Sequence, residues 1–102
     1  GQIGQAAYSA SKGGVVAMAL PMAREFARIG VRVMTVAPGV FHTPMVDGMP
    51  QAVYDSPCAQ APYPSRLGKP DEFADAVAFI LQNRYLNGSV IRVDGAIRLQ
   101  PK

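Results

Sequence analysis

Gly30-Val31-Arg32-Val33-Met34-Thr35-Val36-Ala37-Pro38-Gly39 decides the fold. From Val31 to Ala37 the run is rich in β-branched residues and nearly uninterrupted. Such a run predicts a strand buried on both faces, as in a parallel sheet. Pro38-Gly39 ends it. Gly30 marks the stop of whatever precedes it, because glycine readily takes the left-handed turn that closes a helix.

Upstream, the sequence predicts a helix from Ala7 to Ile29. Ala6, Ala10, Gly13, Gly14, Ala17, Leu20 and Ala23 line one face of it, and residues so small let another backbone approach closely. Gly13 and Gly14 each weaken a helix by about 1 kcal/mol relative to alanine, so packing must compensate. Pro21 crowds the carbonyl of Ala17 and predicts a kink or a local opening.

Downstream, residues 40–67 read as a loop with five prolines (Pro44, Pro50, Pro57, Pro62, Pro64) and a weak helical stretch near Gln51 to Gln60. A connection this long is usually functional or mobile. Phe41, Met45, Val46, Met49, Val53 and Tyr54 make it apolar. That suits a lid over an apolar substrate, or packing against another part of the protein. Lys69-Pro70-Asp71-Glu72 then opens a second helix, with proline at the first position and acids in the first turn. Phe73, Ala74, Val77, Ala78, Ile80 and Leu81 give it an apolar stripe, and it stops near Asn83. After a turn at Asn87-Gly88 comes a short strand, Ser89 to Val93, and then Asp94-Gly95.

Strand, loop, helix, strand is a βαβ crossover, right-handed by the usual rule. Two parallel strands are too little sheet to stand alone. The fold class is therefore α/β. Residues 1–102 read as the C-terminal part of a larger doubly wound parallel-sheet domain, its earlier portion missing from this chain.

The composition agrees with a globular piece: 102 residues, 49% of them hydrophobic, with a formal charge of +3. No apolar run reaches the ~18 residues that a membrane span needs, and no signal peptide is visible. The ten Lys and Arg residues are scattered and not set among stacking aromatics, which argues against a nucleic-acid surface. The lone Cys58 excludes an internal disulfide and a cysteine metal cluster, and it reads as a small loop residue. His42, the only histidine, reads as a solvated loop residue. Arg92 and Asp94 read as structural polar residues at a strand end.

Tyr8-Ser9-Ala10-Ser11-Lys12 carries the chemistry. A phenol and an ammonium four residues apart point from one helix face. A neighbouring Lys⁺ favours the phenolate, which lets a phenol that titrates near ~10 when free take part in proton transfer near neutral pH. Spacing alone also fits a surface lysine beside a half-buried tyrosine. Ser9-Ala10-Ser11-Lys12 satisfies S-x-x-K as well, but the S-D-N and K-T-G partners of that acyl-transfer motif do not occur here.

Y-S-A-S-K, a helix, a V-R-V strand, P-G at its end and a terminal V-D-G strand together resemble the C-terminal part of a short-chain dehydrogenase/reductase. The resemblance runs essentially from end to end. Gly4 to Gly14, Pro64-Ser65-Arg66-Leu67-Gly68, Leu86-Asn87-Gly88 and Asp94 to Arg98 are similar to the 3-hydroxyacyl-CoA dehydrogenase branch, which includes hydroxysteroid dehydrogenases. The resemblance implies a Rossmann-type domain and NAD-dependent hydride transfer with a secondary alcohol or ketone. The implied substrate is an acyl-CoA or steroid-like small molecule, and the implied assembly a homotetramer in the bacterial cytoplasm or the mitochondrial matrix. It gives Tyr8 the role of catalytic acid/base and Lys12 that of lowering the tyrosine pKa and bonding the nicotinamide ribose, and it puts both beside the cofactor. Pro38, Gly39, Val40, Phe41 and Thr43 match the segment that runs past the nicotinamide, and Thr43 would face the carboxamide. The family's upstream serine, its Gly-rich pyrophosphate turn and the acidic residue that selects NAD over NADP are not in this chain. Alternatives are a 3-oxoacyl carrier-protein reductase, or a non-catalytic fragment or assembly module of such an enzyme.

Overall fold

The computed structural model describes residues 2–44, 48, 50 and 59–101. Met45, Val46, Met49, Val53, Tyr54 and Cys58, and most of the weak helical stretch expected near Gln51 to Gln60, lie outside them.

Helix α1 spans Ala6–Phe26 and is followed by a 3₁₀ turn, Ala27–Ile29. Gly30 closes it with φ +75°, the left-handed geometry expected at this position. Val31 N–H donates to Phe26 O at 3.2 Å and Gly30 N–H to Ala27 O at 3.0 Å, so the last carbonyls are satisfied. The helix runs unbroken through Pro21, because one lost hydrogen bond does not undo a 21-residue helix.

Strand β1 is Thr35–Pro38 and strand β2 is Val90–Val93. They pair in parallel, with Thr35 opposite Val90 and Pro38 opposite Val93. Between them lies helix α2, Pro70–Gln82. The α/β class and the parallel order thus agree with the sequence.

Of three expectations, two need correction and one is met in part. First, β1 is shorter than predicted. Residues 31–34 face the turn before β2 and not a strand: Val33 N–H donates to Asn87 Oδ1 at 2.9 Å, and Gly88 N–H to Val33 O at 2.8 Å. Thr35, Val36 and Ala37 are half-buried, since two strands and two helices screen only part of each sheet face. Second, the small-residue face of α1 is open among the described residues. A Cβ added at Gly13 or Gly14 meets nothing within 4 Å, whereas Ala19 and Ala23 are the buried positions. Ala23 and Leu20 receive the turn at Gly88, whose φ of +69° and missing side chain allow the close approach. Third, the packed stripe of α2 is Phe73, Ala76, Val77 and Ile80, at i, i+3, i+4 and i+7. Ala74, Ala78 and Leu81 are exposed.

One cation ties the crossover together. Arg32, from the lead-in to β1, fans its guanidinium over the C-terminal end of α2. Its Nη1 donates to Ile80 O at 3.0 Å, Asn83 O at 3.3 Å and Leu86 O at 2.9 Å, and its Nη2 to Leu81 O at 3.2 Å. These include carbonyls left open at a helix end, where the dipole also favours a positive charge.

Candidate active site

Tyr8 and Lys12 lie in the first two turns of α1. The helix begins after Gln5, and the residues leading into it are held by the C-terminal tail: Ile3 N–H donates to Pro101 O at 2.9 Å. The tail that supplies this carbonyl is itself fixed by Gln100 N–H to Gln60 Oε1 at 3.1 Å and by Ile97, which is buried. Tyr8 is 60% exposed, and the Lys12 ammonium stands 5.6 Å from the centre of its ring. The structure thus brings phenol and ammonium together on one face, as the four-residue spacing predicts.

The other predicted residues gather at the carboxyl end of β1, where ligands of open α/β sheets bind. Pro38, Gly39, Phe41 and Thr43 join Pro70 and Phe73 around an open cleft of about 400 Å³. Its walls are apolar rings and backbone, with the Thr43 hydroxyl as the polar side chain. Val40 does not line this cleft. With Phe41 it lines a neighbouring cavity of about 170 Å³ between the loop ends and the end of β2. Neither Tyr8 nor Lys12 lines either space.

Gly39 has a steric reason to be glycine besides any ligand. An added Cβ would stand 2.8 Å from both Cα and Cβ of Asp94 and 3.1 Å from its carbonyl oxygen. Gly39 N–H also extends the ladder to Val93 O at 2.9 Å. Asp94 is fixed in turn. Its carboxylate accepts from Arg92 Nε at 2.9 Å, Arg98 Nη1 at 3.0 Å and Ala96 N–H at 3.0 Å. Burial works against its charge, yet the Arg92 and Ala96 hydrogen bonds and the two guanidinium charges hold its carboxyl below the usual range. The structural role expected of Arg92 and Asp94 is what the contacts describe.

The sequence places Glu72 only as an acid in the first turn of a helix and Arg66 only within a motif, and it does not pair them. The Arg66 fork grips Glu72 bidentately, at 2.9 Å to Oε2 and 2.6 Å to Oε1. Glu72 also accepts from Lys69 N–H at 2.7 Å. The Arg66 hydrogen bonds, then the Lys69 amide, lower the Glu72 carboxyl to about 2, so the pair stays ionised through the neutral range. Glu72 three residues after Lys69, at the start of a helix, was the available signal.

The arrangement offers a proton-carrying phenol beside a cation, and an apolar cleft with one hydroxyl at a strand end. The cleft suits a flat, weakly polar ring: the faces of Pro38, Phe41 and Phe73 can cover it, and Thr43 can meet a polar substituent. A nicotinamide fits that donor set.

A family model described as enoyl-(acyl carrier protein) reductase matches residues 1–97. Human 3-hydroxyacyl-CoA dehydrogenase type-2 is 59% identical over 101 residues, covering 99% of this chain and 39% of its own length. The bovine protein of the same name is 58% identical over the same span. A crystal structure of 3-hydroxyacyl-CoA dehydrogenase type-2 from Mycobacterium avium superimposes with a TM-score of 0.93 at 49% identity, over 100% of this chain and 40% of that one. The chain therefore spans about two fifths of the length of these relatives. No helix among the described residues is long and apolar enough to cross a membrane.

Proposed function

Because the chain belongs to the short-chain dehydrogenase/reductase family, we propose that residues 1–102 form the C-terminal portion of one Rossmann-type domain in an NAD-dependent 3-hydroxyacyl-CoA or hydroxysteroid dehydrogenase. NAD, when bound, would supply the acceptor for hydride from the alcohol carbon, and NADH the donor to the ketone. Tyr8 takes the hydroxyl proton in oxidation and gives it back to the carbonyl oxygen in reduction. Lys12 keeps a positive charge beside the phenol and would hold the nicotinamide ribose. An exposed cation–π contact is worth about 0.5–1 kcal/mol, so a ribose hydroxyl can draw the ammonium off the ring at small cost. Pro38, Gly39, Phe41 and Thr43 would wall the nicotinamide, with the Thr43 hydroxyl available to its carboxamide, and Val40 would support this segment. The protein works as a homotetramer, in the bacterial cytoplasm or the mitochondrial matrix.

The observation that carries this proposal is the phenol–ammonium pair on one face of α1, in a chain 59% identical to a 3-hydroxyacyl-CoA dehydrogenase. The test is an assay of the intact protein by nicotinamide absorbance. A short 3-hydroxyacyl-CoA or a hydroxysteroid with NAD⁺ is expected to give turnover. Turnover confined to a 3-oxoacyl carrier-protein thioester with NADPH would replace this proposal with the reductase alternative. No turnover with any of these would overturn it.

A further inference from the structure

Within the wall of the cleft, Phe41 is held from the far end of the loop. Phe41 pairs in parallel with Gly68. Gly68 N–H donates to Val40 O at 3.0 Å, and His42 N–H to Gly68 O at 2.8 Å. A Cβ on Gly68 would lie 2.7–3.0 Å from the Phe41 ring, so that ring rests on bare backbone. Its other support is Phe73 of α2, edge to face at 5.8 Å between centroids. Whatever places Gly68 therefore places Phe41, and with it the chain leading to Thr43.

Arg66 and Glu72 place Gly68. Arg66 Nη1 donates to Leu67 O at 2.9 Å, immediately before Gly68. Glu72 accepts from Lys69 N–H, immediately after it, at 2.7 Å. The bidentate ion pair joins these two grips, and its acid belongs to the first turn of α2. A planar fork on a carboxylate fixes orientation as well as distance. The clamp is exposed, at 40% and 42% for the two side chains, and such pairs contribute little to overall stability. Its effect is geometric.

Resting on the function proposed above, we infer that Arg66 and Glu72 are positioning residues for dinucleotide binding. They hold Leu67-Gly68-Lys69 so that the Val40–Thr43 segment presents its wall to the nicotinamide.

The test uses the intact protein, with Kd for NADH and NADPH, KM and kcat measured alongside the thermal midpoint. Glu72→Ala is expected to raise Kd and KM for the preferred dinucleotide about tenfold, with kcat much less affected. Arg66→Lys keeps the charge but not the fork, and is expected to show the same split more weakly. Gly68→Ala pushes on Phe41 by an independent route and is expected to raise Kd with the clamp intact. If Glu72→Ala lowers the thermal midpoint and leaves Kd unchanged, the pair is merely structural and the inference is overturned. Unchanged Kd in all three variants overturns it too. Wild-type protein that binds neither dinucleotide overturns the proposed function itself, and the inference with it.

Discussion

Tyr8→Phe in the intact protein is expected to lower turnover by about 10²–10⁴-fold, the span that a positioned proton donor contributes. The substitution removes one oxygen from a side chain that is 60% exposed, so it disturbs little packing among the described residues. Dinucleotide affinity should therefore stay close to wild type, and the loss should fall on kcat. Full turnover curves together with a dinucleotide titration check both halves. Wild-type turnover in the variant would remove the phenol from the chemistry. Equal losses in turnover and affinity would mean that Tyr8 matters through contact and not through its proton.

Gly39→Ala is the second large effect, and its cause is steric. The new Cβ would sit 2.8 Å from Asp94 Cα, where backbone and not a flexible tip must give way. Asp94 cannot withdraw freely, because Arg92, Arg98 and Ala96 N–H all hold its carboxylate. Overpacking of this kind typically costs about 1–3 kcal/mol. The displaced turn also carries the cleft wall, so dinucleotide affinity should fall with stability. Thermal denaturation and a dinucleotide titration of the intact variant test this. An unchanged melting midpoint would mean that the Pro38-Gly39 turn and the end of β2 are looser neighbours than their distances say.

What could be read without coordinates was what depends on near neighbours in the chain. Gly30 as a helix stop, Pro70 as a helix start and the Tyr8–Lys12 pairing each need only a few adjacent residues, and each is found as expected. The parallel order followed from the β-branched run and the helix after it. What escaped depends on residues far apart. Arg32 reads as one polar interruption of a strand, yet its partners lie 48 to 54 residues later. Gly39 takes its ligand role from the resemblance, and nothing near it in sequence announces Asp94. Arg66 was quoted only as part of a motif, because an ion pair six residues apart across a bend has no helical or strand period to reveal it. The face at Gly13 and Gly14 is a different case. Small residues say that a backbone can come close, not that one does so within these residues.

The two arginines that hold α2 from outside differ in their response to ionic strength. At its front end Arg66 meets a carboxylate in an exposed ion pair, an interaction that dissolved salt screens within ~10 Å at 0.1 M. At its back end the half-buried Arg32 donates to neutral carbonyls, which salt weakens far less. Added salt should therefore loosen the helix asymmetrically, from the end beside the cleft. Amide exchange along α2 in low and high salt would show it, with faster exchange near Glu72 and little change near Ile80. Equal change at both ends would contradict it. For the cell that carries this protein, dinucleotide affinity would then follow ionic strength well before the fold itself does.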